Sequence, residues 1–134
     1  MDVRSMSVEE LCNRVREKTP TPGGGAVGAV VAAMGASLNS MVANLTIGKK
    51  KYEEFDGLMQ EVLEQMDMIT QKALKLADAD IEAFNKVMDA YKLPKDDSQK
   101  QEKIQEALKK AIEAPFELVA CARDIMKFSE VVAR

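Results

Sequence analysis

The 134-residue sequence contains no histidine and no tryptophan, and its aromatics number two tyrosines and four phenylalanines. Without histidine, the commonest general acid/base and the commonest metal ligand are unavailable. So few aromatic rings argue against a surface that stacks nucleic-acid bases. The formal charge of -3 argues against a general grip on phosphate backbones. The two cysteines, Cys12 and Cys121, show neither metal nor redox spacing. They read as buried small apolar residues in a reducing cytosol. Charge itself is absent from residues 19–48, in a chain that is 31% charged as a whole. That stretch exceeds the length of a bilayer span. Pro20, Pro22, three successive glycines, Asn39, Asn44 and a filling of Ala and Gly argue against membrane insertion. Residues 1–18 mix acids with bases and hold no apolar run, so no signal peptide is expected and the location expected is cytoplasmic. The length fits a single domain over 1–134. The nine methionines suit adaptable helical packing.

What is present reads as helix throughout. Ser7 with Glu10 forms a capping box, and Val8, Leu11, Cys12 and Val15 share a face, which predicts a helix over about 8–18. The X-Pro steps at Thr19-Pro20 and Thr21-Pro22 end it. A second helix is predicted from within Gly23–Gly25 to about Leu45. Gly24, Gly28, Ala32, Ala36, Ser40 and Asn44 recur at four-residue steps, a small-residue side that another backbone could approach. A long third helix, about 53–91, carries Phe55, Met59, Val62, Met66, Ile69, Ala73 and Leu76 at coiled-coil-like spacing, with Asp80 next in the series and then Phe84, Val87 and Tyr91. Leu93-Pro94 stops it, and Asp96, Asp97 or Ser98 can cap the next helix. Ile104, Ala107, Leu108, Ala111 and Ile112 mark that fourth helix. Pro115 kinks it or opens a fifth, with Leu118, Ala122, Ile125 and Val132. The fold class is all-α: an antiparallel bundle of about five helices around one long central helix.

Three features could carry chemistry. The Pro22-Gly23-Gly24-Gly25 entrance offers unpaired amides and a helix dipole to an anion, or else lets a helix pack tightly. It fits neither the Walker nor the dinucleotide glycine pattern. Asp80 lies in an apolar register, where burial would raise its pKa and suit it to proton transfer; alternatively the stripe drifts to Ala77, Ile81, Phe84 and Met88 and leaves Asp80 on its flank. Lys49, Lys50 and Lys51 either complement the end of the second helix or gather a polyanion. Asn44 could bond a neighbouring helix or a ligand.

Four segments stand together in a recognisable order: Thr19 to Gly25, Met41-Val42-Ala43-Asn44-Leu45-Thr46 with Gly48-Lys49-Lys50-Lys51-Tyr52, Asp80-Ile81-Glu82-Ala83-Phe84, and Leu93-Pro94. In these the chain resembles the cyclodeaminase/cyclohydrolase family of folate one-carbon metabolism, and the C-terminal part of that family's module is expected to be lacking. The resemblance implies a helical homodimer or higher oligomer, paired through helices, with folate in a cleft near the subunit interface. It implies closure of 5-formiminotetrahydrofolate to 5,10-methenyltetrahydrofolate with loss of ammonia, or interconversion of the methenyl and 10-formyl forms. It implies no metal and no organic cofactor. On this reading Asp80 is the acid/base. Pro22, Gly23, Gly24, Gly25, Asn44 and Phe84 hold the folate, and Lys49, Lys50 and Lys51 attract its carboxylates. The rival from another class is a non-catalytic helical oligomerisation module.

Overall fold

The computed structural model describes residues 2–134, and all its regular elements are helical. Five α-helices occur in chain order: α1 (Val8–Arg16), α2 (Gly24–Thr46), α3 (Asp56–Tyr91), α4 (Lys100–Ala111) and α5 (Glu113–Ala133). Short 3-10 turns at Val3–Ser5 and Lys50–Phe55 precede α1 and α3. The cap foreseen for α1 is present, with the Glu10 amide donating to Ser7 Oγ at 3.0 Å. The other caps are less regular. Gln99 begins α4 without a side-chain cap, and Asp97 instead accepts from the Gln99 amide at 2.9 Å.

The central α3, roughly 54 Å long at 1.5 Å per residue, carries the others. Its stripe buries Met59, Val62, Met66, Ile69, Ala73 and Leu76, then shifts to Ala77 and Ile81. Phe55, Phe84 and Tyr91, placed on the same stripe by spacing, remain substantially exposed. Helix α2 runs antiparallel to α3, since Gly25 meets Asp80 while Asn39 meets Met66. Helix α5 runs parallel to α2: Gly28 faces Leu118, Gly35 faces Ile125, and Asn39 bonds Ser129. The bundle is thus not antiparallel throughout. The α4–α5 pair is interrupted only by Ile112, so the chain does not reverse there.

The buried side of α2 is Ala26, Ala29, Ala33, Ala36, Asn39 and Ala43, so the four-residue row from Gly24 to Asn44 contributes only Ala36 to it. A strict four-residue step drifts by about 40° each time on a 3.6-residue helix, whereas alternating threes and fours stay on one face. Gly24 and Asn44, at the ends of that row, are therefore exposed. Alanine at most of the buried positions brings α2 close to α3 and α5. The buried polar side chain among the described residues is Asn39, whose Nδ2 donates to Ser129 Oγ (3.0 Å) and to the Ile125 carbonyl (3.2 Å). It ties α2 to α5 beside Met66 of α3. Cys121 is buried as expected, but Cys12 is exposed, because α1 buries none of its residues and packs mainly through half-buried Leu11. By length and composition α2 also meets the criterion for a membrane-spanning helix, with a third of its apolar window buried against the rest of the chain.

Candidate functional site

The Pro-Gly loop delivers the N-terminus of α2 to the side of α3 at Asp80. Pro22 is buried, and Thr21 Oγ1 donates to Asn85 Oδ1 at 3.4 Å, fastening the loop to α3. Gly23 stands at the N-cap of α2 and has no side chain to satisfy the first amides. The cap comes from across the bundle. The Asp80 carboxylate accepts a backbone hydrogen bond from Ala26. A Cβ on Gly25 would lie 2.6 Å from both carboxylate oxygens, so the missing methyl is what lets Asp80 reach the helix end.

Two opposing effects act on Asp80. Burial, the larger, raises its pKa above the ordinary 3.8, and the Ala26 amide pulls it back. The group is half-buried rather than sealed. It can therefore exchange a proton with a bound molecule, which a fully enclosed cap could not do. Both sequence readings hold in part: the core stripe does drift to Ala77 and Ile81, yet Asp80 on its flank faces the glycine mouth. The helix dipole is already complemented by this internal carboxylate. An outside anion at the same amides would compete with it.

One wall of the mouth was not foreseen. Val3 is buried with Ala26, Ala29, Ala77 and Ile81, and its amide donates to Asp78 Oδ1 at 2.8 Å. Arg4 lies 3.8 Å from the other Asp78 oxygen. Asp78 thus anchors the N-terminal turn beside Asp80. A lone Val ahead of a polar Arg-Ser pair carries no periodic signal that would have revealed this. Phe84 lies one helical turn beyond Asp80, on the same side of α3, and is 37% exposed.

The remaining candidates lie elsewhere. Asn44 is exposed on the last turn of α2, and Lys49, Lys50 and Lys51 come just after it. At 1.5 Å per residue they stand roughly 30 Å from the glycine mouth. A single chain therefore brings together Pro22, Gly23, Gly24, Gly25, Asp80 and Phe84, and leaves Asn44 and the lysines at the opposite end. Among the described residues none of the three lysines is in an ion pair. Lys51 sits 5.5 Å above the Tyr52 ring. No group of three or more His, Cys, Asp or Glu suited to a metal ion occurs among the described residues. A groove of about 590 Å³ runs between α3 and the α4–α5 pair, away from the Asp80 mouth.

The chain is 40% identical over 131 residues to a methenyltetrahydrofolate cyclohydrolase of Methylorubrum extorquens, an alignment that covers 95% of this chain and 63% of that protein. It is 41% identical over 112 residues to the formimidoyltransferase-cyclodeaminase of Dictyostelium discoideum, covering 84% of this chain and 21% of the larger protein. The crystal structure of formiminotetrahydrofolate cyclodeaminase from Thermotoga maritima superposes with a TM-score of 0.88 at 41% identity, over 98% of this chain and 63% of that one. The chain thus spans under two thirds of the length of these relatives. Residues 7–134 match the family described as formiminotransferase-cyclodeaminase, and with that match running across all five helices the chain belongs to this family.

Proposed function

We propose that the chain forms the folate-handling part of a one-carbon enzyme that closes 5-formiminotetrahydrofolate to 5,10-methenyltetrahydrofolate and releases ammonia. The observation that carries this reading is the meeting of Asp80 with the glycine-opened end of α2 in a family of folate enzymes. N10 of the substrate attacks the formimino carbon, forming the ring C–N bond and moving the C=N electron pair onto the imino nitrogen. The N10 proton must leave, and the departing nitrogen must be protonated before its bond to carbon breaks. A carboxyl with a raised pKa, open on one side, is suited to carry that proton. Phe84, partly exposed one turn along α3, offers a face to the pterin ring. Gly23 and Gly24 let the ring approach the backbone. These steps need only positioning and proton transfer, so no resident metal or organic cofactor is part of the proposal.

The methenyl cyclohydrolase reaction is the second reading, favoured by the relative from Methylorubrum extorquens. There the same carbon receives water in place of releasing ammonia. The enzyme works as a homodimer or higher oligomer in the cytoplasm, with neither nucleic acid nor membrane as partner. Ammonia release from 5-formiminotetrahydrofolate, measured beside hydration of the methenyl form, separates the two reactions. Asp80→Asn should abolish turnover while folate binding by calorimetry persists. Retained turnover in that variant would remove Asp80 from the mechanism. Absence of any folate affinity in a folded sample would return the chain to the class of helical oligomerisation modules.

A further inference from the structure

Asp78 and Asp80 leave α3 on opposite flanks of one buried stripe. At 100° per residue their side chains diverge by about 160°, with Ala77 and Ile81 between them. Asp80 turns to the first turn of α2, where Gly25 makes room for it. Asp78 turns to the N-terminal turn, whose Val3 amide donates to its Oδ1 at 2.8 Å. Val3 itself is 5% exposed and shares a cluster with Ala26, Ala29, Ala77 and Ile81. Three of those four are alanines, so Val3 and Ile81 supply the large buried side chains at this end of the bundle. The turn has little else to hold it. Helix α1, which follows, buries no residue. Arg4 stands 3.8 Å from the other Asp78 oxygen and is 46% exposed, a weak pair in solvent. Within the turn, Asp2 accepts from the Arg4 amide at 3.2 Å and from Ser5 Oγ at 2.9 Å, so the turn is carried as one unit.

We propose that Asp78 is a positioning residue for Asp80: by tethering the N-terminal turn over the Ala77–Ile81 stripe, it holds the first turn of α2 against α3 and keeps the Ala26 amide on the Asp80 carboxylate.

Ala26 is the part that the two acids share. Its side chain is fully buried in the Val3 cluster, and its amide is the one that Asp80 accepts. That amide is third in α2, so no carbonyl within the helix can take it. Packing around the Ala26 methyl therefore sets where its amide meets Asp80. The core around Met59, Val62 and Met66 is a separate cluster. Release of the turn would thus admit water to the stripe and loosen α2 at the mouth, with the rest of the bundle intact. The turn precedes residues 7–134, the stretch that carries the family match. Its effect on turnover rests on the folate reading proposed above; the tether does not.

Amide exchange at Ala26, followed by NMR, reads the tether without substrate. Asp78→Ala removes the acceptor, whereas Asp78→Asn removes the same charge and still accepts from Val3. Exchange at Ala26 should quicken about tenfold or more in Asp78→Ala, with Ala36 in the middle of α2 unchanged. Asp78→Asn should stay near wild type. Val3→Ala, which shrinks the buried side chain and leaves Asp78 in place, should repeat the Asp78→Ala result. In the ring-closing assay Asp78→Ala should lose about tenfold in kcat with KM kept within about twofold, and Asp78→Asn should recover most of the loss. Equal exchange in Asp78→Asn and Asp78→Ala would assign the effect to charge and overturn the proposal. So would an unchanged Ala26 in both Asp78→Ala and Val3→Ala, or full kcat in Asp78→Ala. Ala36 quickening as much as Ala26 would make Asp78 a support of the whole bundle, and would overturn it too. A wild type without folate turnover, beside the expected exchange pattern, would strike the folate reading alone.

Discussion

At the scale of single residues, Asp80 does two things at once: it caps α2 from across the bundle and keeps a titratable oxygen at the mouth. The two can be separated. Asn at position 80 still accepts from the Ala26 amide but cannot carry a proton, so Asp80→Asn should fold with near-normal helicity and lose turnover. The pH dependence has a definite sign. A carboxyl whose folded pKa is raised binds its proton more tightly when folded. Its favourable share of stability is complete below 3.8 and disappears as pH rises through the folded value. Denaturation of wild type and Asp80→Asn in parallel should therefore show the variant gaining relative stability from acid towards neutral pH. Gly25→Ala tests the other partner. Its methyl would displace the carboxylate from 2.6 Å, while helix propensity returns about 1 kcal/mol. Activity should fall far more than thermal stability. Asn39 belongs to a different class. Removing its amide in Asn39→Ala leaves a buried gap beside the Ile125 carbonyl and should cost roughly 1–3 kcal/mol by chemical denaturation. The sequence made Asp80 and Gly25 conspicuous, because an acid in an apolar stripe and a glycine triplet both break local rules. It hid Asn39 and Asp78, whose partners lie 86 and 75 positions away.

Among the elements, α2 was legible in extent but not in orientation. Its start at the glycines and its end near Leu45 are set by the Pro turn and by Gly48, which takes φ of +84° where a side chain would be strained. Gly48→Ala should cost about 1 kcal/mol, read as a lower denaturation midpoint, because that backbone conformation excludes a Cβ. Which side of α2 faces inward could not be read from small residues alone. Alanine and glycine occur all round the helix, and only the large side chains mark the uncovered face. In α1 the pattern misled in the opposite direction, since a clear apolar face is left largely exposed, with Val8 71% accessible. Held mainly by Leu11, α1 should open independently of the bundle. Ser7→Ala removes its cap at a local cost of about 1 kcal/mol. Amide exchange should speed up in residues 8–16 while the global unfolding midpoint stays put.

For the whole molecule, the all-helical class and the central α3 were readable because periodicity over 36 residues leaves little choice. The parallel course of α2 and α5 was not readable. It depends on α4 and α5 continuing in one direction through Ile112, and Pro115 left kink and reversal equally open. The joint at Ile112 has one more consequence. With no loop between them, α4 and α5 form one arm: α4 walls the groove against α3, and α5 carries the Ser129 hydroxyl bonded to Asn39 inside α2.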